Sequence, residues 1–203
     1  ERWLVVAEAG SLSALLESLS VGELTLPASL RLLRTGGAPL APSLQTALEA
    51  VSGRPVMQGY GMTETGGIAR NPLPPAPRPP GSVGRPLWPG VAILGHDGAV
   101  GRWQEEGEVV VRGPGVMTGY ENAPEANREA FHDGWFRTGD VGRFDADGYL
   151  HLTGRLRELI NRGGFKVAPA EVDAAMLRHP EVADVAAFAV EHPSLGEDVA
   201  VAV

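Results

Sequence analysis

Leucines at 12, 15, 16 and 19 stand at the i, i+3, i+4, i+7 spacing of one helical face, so the stretch from Ser11 predicts an amphipathic helix. Before it, Trp3 to Ala7 is a short apolar run, read as a strand or the lead into that helix. Leu30 to Leu33 interleaves leucine with arginine and predicts a strand running out into Thr35-Gly-Gly-Ala-Pro-Leu40. Pro42 to Val51 follows as a helix, with Pro42 in the first turn, where its missing N–H costs little. Val56 and Met57 predict the next strand. Strand, turn, helix, strand is the βαβ unit of a parallel sheet, which binds ligands beyond its strand ends. Gly36-Gly37 and Gly59 to Gly61 are expected at such ends.

The texture then changes twice. Asn71 to Pro80 carries too many prolines for regular structure, since each removes a donor and fixes φ, and it predicts a stiff surface loop. From Gly81 to Leu152 the pattern is β-rich. Gly90–Leu94, Gly107–Arg112, Asp140–Phe144 and Tyr149–Leu152 read as short strands, with turns at His96-Asp97-Gly98 and Asp145 to Gly148. One helix, Pro124 to Phe131, interrupts them. Such a run indicates a small antiparallel barrel or sandwich. After Arg155 come a short apolar stretch (Glu158 to Asn161), a Gly163-Gly164 turn, a helix from Pro169 to His179, and strands at Val182–Val190 and Val199–Val203. This reads as the opening of a separate α+β unit.

Composition narrows the function. The 203 residues are 43% hydrophobic and 21% charged, as in a globular protein, and carry a formal charge of -8 with no basic stripe. Nucleic acid is therefore an unfavoured partner. No apolar run approaches the ~20 residues of a membrane-spanning helix, so no span is expected and the cytoplasm is the default compartment. Without cysteine there is no disulfide framework and no thiolate chemistry. Of the 17 basic residues only Lys166 is lysine. The chain starts at Glu1 without methionine and stops at Val203 within an apolar run, so both ends are expected to be cuts through a larger protein.

The densest chemistry lies in Gln58 to Gly67, Gln-Gly-Tyr-Gly-Met-Thr-Glu-Thr-Gly-Gly, expected to be the loop that leaves a strand. Gly59 and Gly61 bracket Tyr60 and free the backbone to turn beneath a flat ligand. Thr63 offers a hydroxyl and Glu64 a carboxylate for a hard cation. An aromatic, a hydroxyl and an acid suit a nucleotide phosphate with magnesium; a glycine-rich turn with a solvated Glu64 is the alternative. Histidines 96, 132, 151, 179 and 192 show no ligand spacing. The Glu105-Glu106-Glu108 cluster reads as a solvated approach to a strand.

Four motifs stand in one order: Thr35-Gly-Gly-Ala-Pro-Leu40, Gly59-Tyr-Gly-Met-Thr-Glu64, Gly134-Trp-Phe-Arg-Thr-Gly-Asp140, and Gly154-Arg-Leu-Arg-Glu-Leu-Ile160 followed by Gly163-Gly164 and Glu171. Together they resemble the adenylate-forming (AMP-binding) superfamily of acyl-CoA synthetases, peptide-synthetase adenylation domains and luciferases. Asp147 to Asp173 is most similar to the branch that includes oxalate–CoA ligases. After Glu64-Thr65, where those ligases are expected to place a polar residue, this chain has Gly66-Gly67.

The resemblance implies an α/β fold with a β-rich subdomain. Residues 1–156 would be the rear part of the large adenylating domain (a parallel βαβ element and a small β-barrel), and 157–203 the first part of a small mobile domain. It implies ATP, Mg2+ and CoA, or a carrier protein's phosphopantetheine, as cofactors, and a carboxylic acid as substrate. Gly37, Ala38 and Pro39 would line the adenine and acyl site, with Gly59, Gly61 and Met62 around Tyr60, which would stack on adenine. Thr63 would hold the α-phosphate and Glu64 the magnesium. Asp140 would accept the ribose hydroxyls, Arg155 would bind ribose or phosphate, and Arg157 would be the interdomain hinge, a position usually aspartate or lysine in the family. The family's Ser/Thr/Gly-rich phosphate loop with its lysine does not occur in these residues, and Lys166 matches neither that lysine nor the catalytic one near the small domain's end. The chain by itself is therefore expected to be inactive and to need the missing parts of its parent. A catalytically incomplete nucleotide-binding or interaction module is the reading from a different class.

Overall fold

The computed structural model describes residues 3–6, 9–38, 40–101 and 104–203. Three sheets succeed one another along the chain. The first has the spatial order β1 (Trp3–Val6), β2 (Leu30–Gly36), β3 (Val56–Met62), β4 (Gly66–Arg70) and β5 (Arg85–Pro86). Its first three strands are parallel and its last two antiparallel. Helices α1 (Ala9–Ser20) and α2 (Pro42–Ser52) make the two parallel crossovers. Leu12 of α1 and Leu48 of α2 are fully buried against Leu30, Leu33 and Val56, so the leucine face predicted from the sequence is the one that packs. Burying each such side chain stabilises the fold by about 1.5–3 kcal/mol.

The stretch expected as a loop from Gln58 to Gly67 is instead a hairpin. Gln58 to Met62 continue β3, the chain reverses at Thr63-Glu64-Thr65, and Gly66 opens β4. Its glycines serve close approach between paired strands: a Cβ on Gly61 would come within 2.3 Å of the Gly66 carbonyl oxygen. The proline-rich segment that follows is irregular as expected, and it is tied down at both ends and along its length, including by the Arg78–Glu49 ion pair at 3.1 Å. The Asn71 side chain accepts the Gln58 N–H at 2.6 Å and donates to the Ser82 carbonyl at 3.2 Å. The Tyr149 hydroxyl donates to the Pro77 carbonyl at 2.7 Å.

The second sheet is antiparallel and curls as a half-barrel. It contains β6 (Val91–Leu94), β7 (Val100–Gly101), β8 (Gly107–Val111), β9 (Phe131–His132), β10 (Trp135–Phe144) and β11 (Leu150–Arg155). The order is β11-β10-β8-β6-β7, with β9 on β10, and α3 (Pro124–Ala130) leads into β9. All five residues of the central strand β8 are buried. Val109 and Val111 share a core with Ile68 and Ala69 of β4, and Tyr60 and Met62 pack against it, so the first two sheets are joined by apolar contact.

The last sheet has the order β13-β12-β15-β14. It comprises β12 (Ile160–Arg162), β13 (Phe165–Val167), β14 (Ala186–His192) and β15 (Gly196–Ala202), with α4 (Pro169–Met176) between β13 and β14. The helix predicted to His179 ends at Met176, and the strand predicted from Val182 begins at Ala186. The Asp173 carboxylate explains the later start: it accepts the Ala187 N–H at 2.7 Å and pins the strand's entry beneath the helix. Residues 156–159 form a turn between β11 and this unit.

Candidate functional site

Position along β3 decides what its motif presents. Tyr60 points toward the second sheet, and its hydroxyl donates to Asp140 Oδ2 at 2.6 Å, across 80 residues of sequence. Burial first, then the charge and hydrogen bond of Asp140, push the Tyr60 hydroxyl well above the ordinary phenol value. It therefore remains the donor in this pair. The other carboxylate oxygen, Oδ1, accepts from Arg155 Nε at 2.9 Å. Asp140 is buried while the Arg155 side chain is 64% exposed, so the guanidinium stands between the carboxylate and solvent.

Asp140 owes its direction to an irregularity in β10. Pairing with β8 shifts register between Arg137 and Val141. Thr138 Oγ1 donates to the Val109 carbonyl at 2.7 Å and accepts the Asp140 N–H at 3.1 Å. Glu108, read from the sequence as solvated, is buried beneath this bulge. Its Oε2 accepts Arg137 Nε at 2.7 Å and its Oε1 accepts the Gly139 N–H at 3.0 Å. Glu105 and Glu106 of the same cluster are exposed, in keeping with the sequence reading. The strand register that buries Glu108 is set between β8 and β10, and no local sequence pattern marks it.

Glu64 lies at the hairpin turn beside exposed Thr63. Its Oε1 accepts the Tyr120 hydroxyl at 3.1 Å, and its backbone carbonyl accepts the Met117 N–H at 2.7 Å. Burial, followed by the hydrogen bond and charge of Glu64, raises the Tyr120 hydroxyl above the usual value, whereas the Arg157 charge lowers it. Arg157 is thus within electrostatic reach of the Glu64–Tyr120 pair, although it enters no ion pair among the described residues. Nothing in the sequence signals the 56-residue link between Glu64 and Tyr120. No group of three or more metal-ligating side chains occurs among the described residues. A lone, accessible carboxylate suits Mg2+, which keeps several waters and takes one or two carboxylates plus substrate phosphates.

Beside Tyr60 the first sheet carries an open cleft of about 480 Å³, to which Gly37, Gly59, Tyr60, Gly61 and Met62 all contribute. Gly37 follows β2 at φ 83°, a left-handed turn that favours glycine. Ala38 is exposed outside the cleft lining, and Pro39 lies outside the described residues. The cleft and the Tyr60–Asp140–Arg155 chain bring residues of all four motifs around the β3–β4 hairpin.

A family model described as AMP-binding enzyme matches residues 7–121, more than half of the chain. The chain belongs to the AMP-binding enzyme family. An oxalate–CoA ligase of Arabidopsis thaliana is 50% identical over 86% of this chain and 34% of its own length. ATP-bound MatB from Rhodopseudomonas palustris superposes with a TM-score of 0.89 at 35% identity, covering 98% of this chain and 40% of that one. The o-succinylbenzoate CoA synthetase MenE of Bacillus subtilis, in complex with the acyl-adenylate intermediate OSB-AMP, gives a TM-score of 0.79 at 35% identity, over 97% of this chain and 40% of that one. The chain thus spans about a third of the length of the curated relatives it matches. In family terms, the α/β layer and the half-barrel are the rear of an adenylating enzyme's fold. No helix among the described residues is long and apolar enough to cross a membrane.

Proposed function

We propose that a full-length protein carrying this chain activates a carboxylic acid with ATP and passes the acyl group to the thiol of CoA. The single observation that carries the reading is the Tyr60–Asp140–Arg155 chain, which joins three separate motifs around one buried carboxylate. Family membership supports it, as do relatives named as CoA ligases and a relative whose structure holds an acyl-adenylate.

In the first half-reaction a carboxylate oxygen attacks the α-phosphorus, and the bond to the bridging oxygen breaks, releasing pyrophosphate. In the second, the CoA sulfur attacks the acyl carbon, loses its proton, and AMP leaves with the former carboxylate oxygen. Asp140 retains lone pairs for ribose hydroxyls while Tyr60 and Arg155 hold it in place. Tyr60 offers its ring to adenine, and Gly37 and Ala38, with Pro39, border the nucleotide. Thr63 donates to the α-phosphate. Mg2+ held by Glu64 would offset the repulsion between carboxylate and triphosphate. Residues 1–156 belong to the large domain and 157–203 to the small one, which turns about Arg157 between half-reactions.

The relatives' names favour CoA as acceptor. A carrier-protein phosphopantetheine presents the same thiol, and turnover with free CoA distinguishes the two. Glu64→Ala in the full-length protein tests the adenylation step through carboxylate-dependent ATP–pyrophosphate exchange. Loss of one aimed electrostatic group lowers the rate on the order of 10²–10³-fold. An unchanged rate at saturating Mg2+ would leave Glu64 as a partner of Tyr120 only.

A further inference from the structure

Glu64 is held through both its backbone and its side chain by the segment that follows β8. The Met117 N–H donates to the Glu64 carbonyl at 2.7 Å, and a Cβ on Gly115 would stand 3.0 Å from the Thr65 carbonyl oxygen. Residues 115–117 therefore lie directly against the hairpin turn. Tyr120 closes this clasp, its hydroxyl donating to Glu64 Oε1 at 3.1 Å. Tyr120 is in turn fixed from α3. The Asn127 carboxamide accepts the Tyr120 N–H at 2.7 Å and donates to the Tyr120 carbonyl at 2.8 Å, so both backbone polar groups of Tyr120 end on one side chain. Gly119 makes room for that side chain: φ there is 148°, and a Cβ would stand 2.9 Å from Asn127 Oδ1.

The contacts thus run from Asn127 through Tyr120 to one of the two oxygens of Glu64. A phenol O–H on Oε1 fixes the plane of the carboxylate and draws charge toward itself, which makes Oε2 the stronger ligand. Cations differ in how much this matters. Ca2+ takes about six to eight oxygens in flexible geometry and accepts both oxygens of one carboxylate, whereas Mg2+ demands near-octahedral geometry, which one oxygen per carboxylate satisfies. We infer that Tyr120 is a positioning residue that makes Glu64 a one-oxygen ligand and so favours Mg2+ over Ca2+. Asn127 sets the hydroxyl in place from behind. The inference rests on the reading of Glu64 as the residue that holds the metal, and adds the group that determines which ion it takes.

The probe is Mn2+, followed by its electron paramagnetic resonance in the full-length protein with α,β-methylene-ATP. Displacement by Mg2+ and by Ca2+ gives the preference between the two ions without turnover. The wild type should prefer Mg2+. Tyr120→Phe removes one hydroxyl and keeps the ring. It should narrow the preference on the order of tenfold, chiefly by tightening Ca2+, in line with the worth of one hydrogen bond to a charged group. Asn127→Ala should shift the preference in the same direction by less. The double variant should match Tyr120→Phe alone, because Asn127 acts through the hydroxyl.

A wild type without preference for Mg2+, or a preference unchanged in Tyr120→Phe, would overturn the inference. So would equal weakening of both ions, which would make Tyr120 a general support of the turn. Glu64→Ala separates this from the reading beneath it. If that variant binds Mn2+ as the wild type does, Glu64 holds no metal and both fall. If it loses Mn2+ while Tyr120→Phe keeps the wild-type preference, only the assignment of Tyr120 fails.

Discussion

Glu108→Gln tests whether the buried glutamate aims Asp140 or only supports the sheet. The substitution preserves shape and one acceptor, so the Gly139 N–H at 3.0 Å can still be satisfied by the amide oxygen. The amide nitrogen then faces Arg137 Nε, whose bond to Glu108 Oε2 is now 2.7 Å long, and two donors oppose each other. A hydrogen bond to a charged group contributes about 1.5–3 kcal/mol. The Arg137 side chain is 40% exposed and can turn to water, which lowers the expected stability loss to about 1–2 kcal/mol. Glu108→Ala removes both acceptors and strands the Gly139 N–H, adding about 1–3 kcal/mol. In the full-length protein, a bulge loosened by Glu108→Gln should raise KM for ATP about tenfold, equivalent to about 1.4 kcal/mol. The assay is pyrophosphate exchange against ATP concentration, run as a double-mutant cycle with Asp140→Asn. Coupling between the two sites is expected, because Glu108 acts through the residue it positions. Additive losses, or lost stability with KM for ATP unmoved, would refute the reasoning and leave Glu108 as scaffold.

Two further outcomes bear on other parts of the molecule. Arg157→Pro fixes φ near −65° and removes an N–H in the turn between β11 and β12. In the full-length protein it should impair single-turnover transfer from preformed adenylate to CoA far more than pyrophosphate exchange; equal losses would make Arg157 ordinary scaffold. Asp145 concerns pH. Burial pushes its carboxyl up, but hydrogen bonds from His151, Tyr149 and Asp147 outweigh this and hold it below the ordinary value. A depressed folded pKa stabilises fully above the unfolded value near 4, and that contribution is lost as pH falls through the folded value. Asp145→Asn should lower the thermal midpoint at pH 6, and the gap to the wild type should narrow as pH falls below the unfolded value near 4; a gap that does not change with pH would assign its effect to uncharged hydrogen bonding.

Much of the frame was legible in local pattern. The leucine stripe of α1, the prolines after Asn71 and the βαβ rhythm each follow from the period or dihedral limits of a few neighbouring residues, and the folded chain obeys them. Glycine misled where it was densest. Gly59 to Gly61 reads as a turn because glycine permits one, yet in β3 it lets paired backbones approach, and only the partner strand decides between these uses. Charge was the other blind spot. Glu105, Glu106 and Glu108 are alike in sequence, but Glu108 alone is buried by a register set across β8 and β10. The meeting of Tyr60 with Asp140 and Arg155, and of Glu64 with Tyr120, likewise depends on which strands become neighbours. Residue type and spacing determined what chemistry the chain can offer. Sheet order and register decided which groups share one carboxylate or one cleft, because those contacts form between residues that no local period links.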